Sequence, residues 1–242
     1  TVPPAQKLSQ LPMYDWPEVA DATDKLWALI RDAFKHSGID APDALDRSLP
    51  AVEAWLSPNL ALSQTCGLPL VAELAGKVQT LGSFAYEGVE PAGSYHSVIV
   101  THARNDENPV CLKGKRAVIN GDDSYSGCLA LKCFLASRGT GEGQFASVLV
   151  SGGHRASLCA VADGSADIAA IDCISWRLAN RCERAVDKLQ IIARTESRPG
   201  LPLITHGGAS VKQISLMRDA LTKAVDHLDE KNRLMTGICG FV

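Results

Sequence analysis

The sequence predicts an α/β protein built as two small lobes with a ligand cleft between them. Three observations carry this. Strand-length apolar runs alternate with stretches of helical period along most of the chain, the pattern of α/β architecture. The alternation comes as two series, joined by the extended runs 77–87 and 95–103 instead of a floppy linker. Three polar turns, at 64–67, 122–127 and 151–154, fall between a predicted strand and a predicted helix, where α/β sheets bind ligands.

The elements follow in order. Residues 8–14 form an apolar run read as a first strand, and Tyr14-Asp15-Trp16-Pro17 is its exit, with Pro17 suited to a helix start. Val19, Ala22, Leu26, Trp27, Ile30 and Phe34 recur at helical spacing over 18–34. Residues 37–50, rich in Gly, Asp and Pro, connect to a short helix at 52–56. A buried strand at 59–63 turns through Gln64-Thr65-Cys66-Gly67 into a helix at 68–76. The extended runs follow, with 88–93 as the turn between them. The second series begins after the connection at 105–109. It reads strand 116–119, turn 120–127, helix 128–137, the glycine-rich connection 139–143, strand 145–150, turn 151–154, helix 155–162, strand 168–172, helix 174–180 and strand 189–193. A last strand at 203–205 precedes one long amphipathic helix over 209–229. The sheets are expected to be mostly parallel.

Bulk properties narrow the function. The 242 residues are 46% hydrophobic and 21% charged, enough apolar content to exclude a disordered main state. A net charge of −3, from 24 Lys+Arg and 27 Asp+Glu, provides no broad basic field for nucleic acid or anionic lipid. Any oxyanion must therefore be held by local geometry. No run approaches the roughly 20 apolar residues of a membrane span, so no direct membrane insertion is expected. Thr1-Val2-Pro3-Pro4-Ala5 has neither a basic nor an apolar leader region. The missing initiator methionine is read as removal of a leader, a tag or that residue alone. Eight cysteines stand at 66, 111, 128, 133, 159, 173, 182 and 239. With no CxxC and no zinc spacing they read as mainly reduced, buried small hydrophobes, which points to a reducing compartment.

The chemistry sits in the turns. Ser124-Tyr125-Ser126-Gly127 sets three hydroxyls and several free N–H groups at one helix start, a geometry that binds oxyanions without Lys or Arg. Plain helix capping uses the same residue types. His154 opens another helix and can donate to an anion; a surface or capping histidine is the alternative. Asp172 closes an apolar strand, where it either accepts from a ligand or caps the following helix. Tyr14 and Trp16 either wall a pocket or pack at its rim. No GxxxxGK[ST], no GxGxxG between strand and helix, no HExxH and no GxSxG occurs, so neither cofactor nor metal is expected.

In combination these motifs resemble a known family. The run 62–70 around Gln64-Thr65-Cys66-Gly67, the run 114–129 with its Asp-Ser-Tyr-Ser-Gly turn, and Ser151-Gly152-Gly153-His154 followed by 166–172 look like the ligand loops of phosphate/phosphite/phosphonate-type substrate-binding proteins of ABC importers. The resemblance covers about residues 8–230. It implies the type II periplasmic-binding fold, with residues 1–102 as lobe 1, 103–197 as lobe 2 and 198–242 returning to lobe 1. Crossings are implied near 101–104 and 195–198. It also implies a small oxyanion ligand, non-catalytic capture, a membrane-subunit partner and a periplasmic or extracytoplasmic location. Ser124, Tyr125, Ser126, Gly127 and His154 take the ligand oxygens in that reading. Tyr14, Tyr95, Thr65 and Cys66 act from the first lobe. An enzyme or cytoplasmic sensor on the same fold is the alternative, which the cysteine count favours.

Overall fold

A computed structural model of the chain describes residues 6–104, 114–139 and 145–242. The N-terminal pentapeptide, the connection at 105–109, Cys111 and the glycine-rich connection after Gly139 lie outside the described residues. In chain order the elements are β1 (Leu8–Ser9), α1 (Ala20–His36), α2 (Ala51–Trp55), β2 (Leu60–Gln64), α3 (Gly67–Ala72), β3 (Val78–Tyr86), β4 (Ser94–Tyr95) and β5 (Ser97–His102). Then come β6 (Arg116–Ile119), α4 (Ala130–Ser137), β7 (Ser147–Val150), α5 (His154–Ala162), β8 (Ile168–Asp172), α6 (Cys173–Cys182), β9 (Leu189–Arg194) and β10 (Arg198–Pro199). The chain closes with β11 (Pro202–His206), α7 (Val211–Asp226), α8 (Glu230–Thr236) and β12 (Ile238–Phe241).

Two units result, one of residues 1–94 with 199–242, the other of residues 95–198. The first division falls at Ser94/Tyr95, not near 101–104. The reason is pairing: β5 lies antiparallel between β8 and β9, so its whole length belongs to the second sheet. Tyr95 goes with it, out of the first lobe. The return at Arg198/Pro199 falls beside the sequence boundary. At these divisions β4 and β10 pair as a two-stranded ribbon.

The first unit is a five-stranded sheet in the order β1-β2-β11-β3-β12. Leu26, Trp27, Ile30 and Phe34 put an apolar stripe on α1, and Met217, Leu221, Ala224 and Val225 put one on α7. The two helices pack against each other, and α7 also packs on β3 and β12. Burying each such large side chain is worth about 1.5–3 kcal/mol. The Ser210 hydroxyl accepts from the Gln213 N–H at 3.3 Å, and the Ser210 N–H donates to the Gln213 side chain at 2.9 Å, a reciprocal cap that starts α7. The predicted helix 209–229 stops at Asp226. Asp229 caps the separate α8 by accepting from the Asn232 N–H at 2.9 Å. β12 was not foreseen in the sequence. The first strand is two residues long instead of seven, since Gln10 N–H donates to Leu62 and the chain then leaves the sheet.

The second unit is a sheet in the order β7-β6-β8-β5-β9. A core of Ile99, Ile119, Leu131, Phe134, Leu135 and Ile168 joins the sheet to α4. Both sheets are mixed, not mostly parallel. β1 runs parallel to β2, and β6 runs parallel to β7 and β8. β11, β12 and β5 pair antiparallel. The parallel parts matter most for function. They bring the turns after β6, β7 and β8 to one end of the second sheet, and the exits of β1 and β2 to one end of the first. Among the described residues no helix is long and apolar enough to cross a membrane.

Candidate functional site

The chain leaves β6 through Asn120 and a turn at 121–123, and Ser124 takes extended backbone angles (φ −86°, ψ 123°). Its hydroxyl accepts from the Gly127 N–H at 3.1 Å. Its carbonyl accepts from Cys128 N–H at 3.2 Å and Leu129 N–H at 3.1 Å. The five-residue return makes Tyr125–Leu129 a π-helical turn, not the plain α-helix read from 128 onward. Such wide turns are common at functional sites. As at any helix start, the N–H groups of Tyr125 and Ser126 have no partner within the helix. The Ser97 hydroxyl on β5 donates to the Ser126 carbonyl at 2.9 Å and anchors the turn to the sheet. A Cβ at Gly127 would run into the Asn120 side-chain oxygen, so any larger residue there must displace that side chain.

His154 arrives from the next turn. Ser151 ties that turn down: its N–H donates to the Ile119 carbonyl at 2.9 Å, and its hydroxyl meets the Ser157 hydroxyl at 2.7 Å. The His154 Nε2 then lies 2.8 Å from the Ser126 Oγ and 3.5 Å from the Asn120 Nδ2. Burial pushes the imidazole pKa down to about 4, so the ring is neutral at physiological pH. The residue retains some exposure at its edge, but the deeper Nδ1 is enclosed. His154 Nδ1 and Asn120 Oδ1 are both buried without a hydrogen-bond partner among the described residues. Unsatisfied buried polar atoms cost about 1–3 kcal/mol each, which makes the pair conspicuous.

The other candidates fall into place around this turn or away from it. Tyr95 is buried in the second unit with its ring edge-on to Tyr125, centroids 6.4 Å apart. Asp172 is 1% exposed and accepts from the N–H groups of Ile174 (2.7 Å) and Ser175 (3.0 Å), which is the capping reading. The β5–β8 register pairs it with Ser97. In the first unit Tyr14 stands edge-on to Tyr86 at 5.5 Å. Thr65 is fully buried, with its N–H donating to Pro202 at 3.0 Å. Cys66 is half-buried at the start of α3, without a side-chain cap. Ser151 stands in one of the polar turns read from the sequence and Asn120 at the start of another, but the sequence singles out neither as a site residue, and Ser97 carries no motif at all. The only further trace is Asn120 following an apolar strand seven residues before a glycine.

Among the described residues no group of His, Cys, Asp and Glu could hold a metal ion, and the seven described cysteines form no disulfide with one another. The arrangement therefore offers hydroxyls, helix-start N–H groups and one neutral imidazole: a set of donors without a formal positive charge.

Comparison with known proteins gives the family and the fold. Residues 59–241 match the family described as ABC transporter, phosphonate, periplasmic substrate-binding protein. The chain belongs to that family of periplasmic substrate-binding proteins of ABC transporters. Its fold is that of PhnD1 from Prochlorococcus marinus, solved with methylphosphonate (18% identity, TM-score 0.73, 98% of this chain and 91% of that chain covered). It is equally that of a binding-protein component of an ABC phosphonate transporter from Pseudomonas aeruginosa (15%, TM-score 0.73, 98% and 80%). A protein from Xanthomonas citri solved bound to ATP is similar as well (16%, TM-score 0.70, 98% and 90%). No curated protein is matched by sequence.

Proposed function

We propose that the protein captures a small phosphonate, phosphite or phosphate in the periplasm for an ABC importer, by closing its two units on the ligand. The observation that carries this is the Ser126–His154 pair at the helix start, 2.8 Å apart, with two buried polar atoms beside it left unpartnered. The N–H groups of Tyr125 and Ser126 and the hydroxyls of Ser124 and Ser126 take the ligand oxygens, with the helix dipole behind them. His154, neutral, pairs with the Ser126 hydroxyl through Nε2 and orients it at the ligand. Gly127 lets Asn120 support the turn, and Tyr95 backs Tyr125. Tyr14, Thr65 and Cys66 contribute from the first unit. Asp172, which caps α6 and lies beside Ser97 in the sheet register, is the carboxylate we assign to accept from a ligand that carries a proton, which sulfate does not.

Binding, not catalysis, is the role this chemistry supports. Ser126 and His154 are two parts of a hydrolytic triad. A ring whose conjugate acid has a pKa of about 4 is a weak base at neutral pH, and a triad needs an acid on Nδ1. Family membership likewise disfavours the cytoplasmic enzyme or sensor. Calorimetric titration with methylphosphonate, phosphite, phosphate and sulfate tests the proposal. The expected result is micromolar or tighter binding of at least one of the first three and weaker binding of sulfate. Failure of all three to bind, or sulfate binding as tightly, overturns it.

A further inference from the structure

A cavity of about 260 Å³ opens beside α4 in the second unit. It is distinct from the ligand turn: none of Ser124, Ser126, Gly127 or His154 lines it, and only the Tyr125 side chain is shared. Its two walls differ in kind. One, from the π-turn and α4, presents the Tyr125 ring, Phe134 and the exposed Cys133 thiol. The other, the segment following β9, presents Arg194, Glu196 and Arg198. Arg198 is paired with Glu196 at 3.1 Å. Arg194 is exposed and its side chain forms no ion pair among the described residues.

The charges set the class of occupant. The lining sets two guanidinium groups against one carboxylate, and a third guanidinium, Arg138, lies over the Phe134 ring at 4.6 Å, so the rim carries net positive charge. An aromatic wall lies opposite. A guanidinium prefers a planar, bidentate oxyanion, and aromatic walls prefer a flat apolar body. The volume is below the roughly 300–1,000 Å³ of sites for drug-sized ligands, so the occupant is small. We propose that this cavity binds a small aromatic monoanion, its carboxylate or equivalent group on Arg194 and its ring on the facing wall, against Tyr125. It is a second site, separate from that of the oxyanion at the helix start.

The probe is 2-naphthoate, a flat monoanion at neutral pH, with 2-naphthamide as its neutral counterpart. The native protein is titrated calorimetrically with each, in the presence and absence of saturating methylphosphonate. The location is read separately from the rate at which iodoacetamide alkylates Cys133, followed by peptide mapping. The expected result is one equivalent of 2-naphthoate bound, with Cys133 alkylated at least about tenfold more slowly in its presence. Methylphosphonate should not displace it. The amide should bind at least about tenfold more weakly, and Arg194→Gln, a surface change, should weaken 2-naphthoate to a similar degree. Absence of binding at millimolar probe, or binding that leaves Cys133 alkylation unchanged, overturns the proposal. Displacement by methylphosphonate also overturns it, since the probe then occupies the helix-start site. Equal affinity for acid and amide, or an unaffected Arg194→Gln variant, removes the ionic half of the argument and overturns the monoanion class.

Discussion

Ser126 and His154 meet across two turns that are 28 residues apart in the chain, and each can be tested alone. Ser126→Ala removes one hydrogen bond to a charged ligand while leaving the Ser97 anchor on its backbone carbonyl intact. A loss of roughly 1.5–3 kcal/mol, ten- to hundredfold in affinity for whichever oxyanion binds, is expected by calorimetry. Unchanged affinity would remove the helix start from the site. His154 has a pH signature. Its folded pKa is about 4 against an ordinary 6.5. Between these values the unfolded chain takes up a proton that the folded protein refuses. The contribution is fully present above pH 6.5 and is lost as pH falls toward 4, by up to about 3 kcal/mol. Urea unfolding at neutral pH and near pH 4.5 should show a steeper loss in the wild type than in His154→Gln. Equal slopes would place the titration elsewhere, with His96 and His206 as the other histidines lowered by burial.

The π-turn and the last strand are the elements whose geometry is least forgiving. Gly127→Ala puts a methyl group against the Asn120 oxygen, and should destabilise the protein by about 1–3 kcal/mol and weaken ligand binding. Adding Asn120→Ala removes the obstacle. The double variant should then recover stability relative to Gly127→Ala, a coupling that thermal unfolding of the four proteins measures. If the second change only adds to the loss, the collision is not what makes glycine necessary. β12 docks on β3, where a Cβ at Gly82 would strike the Val242 carbonyl and the Phe241 ring. Ser83 N–H donates to Val242 at 2.7 Å, and Ile238 is buried. Removing residues 238–242 strips a buried large side chain and a strand pairing from the first sheet. A loss of at least about 2 kcal/mol is expected in chemical unfolding. A truncated protein as stable as the full chain would make β12 peripheral.

At the scale of the molecule, the proposed capture requires groups from both units to reach one small ligand. Ligand should then shift the population toward a compact state, with a smaller radius of gyration in small-angle scattering and a higher melting temperature. Because Tyr95 belongs to the second unit, it does not report on sharing between units; Tyr14, in the first, does. Tyr14→Ala should weaken binding about tenfold and abolish the change in scattering if both units hold the ligand. Tight binding with an unchanged scattering curve, together with full affinity in Tyr14→Ala, would confine the site to the second unit.

The sequence by itself determined the α/β class, the order of most elements and the three polar turns. These rest on local properties: the 3.6-residue recurrence along α1, the apolar runs of β6 and β8, and the Ser and Gly that shape a helix start. It also carried the family, through motifs distributed over both series. What tertiary structure decided was pairing and proximity. The strand Ser97–His102 reads the same from sequence whichever lobe it joins. Only its antiparallel ladders with β8 and β9 assign it, and Tyr95 with it, to the second unit. β12 is four residues long, too short to signal itself without β3 to pair with. Asp172 could cap or bind on sequence grounds, and its bonds to two backbone N–H groups show the cap. Asn120 gains meaning only where Gly127 packs on its oxygen and the His154 ring closes over it. Local propensity is written in neighbouring residues, whereas a site is made by residues that only the packed sheet brings together.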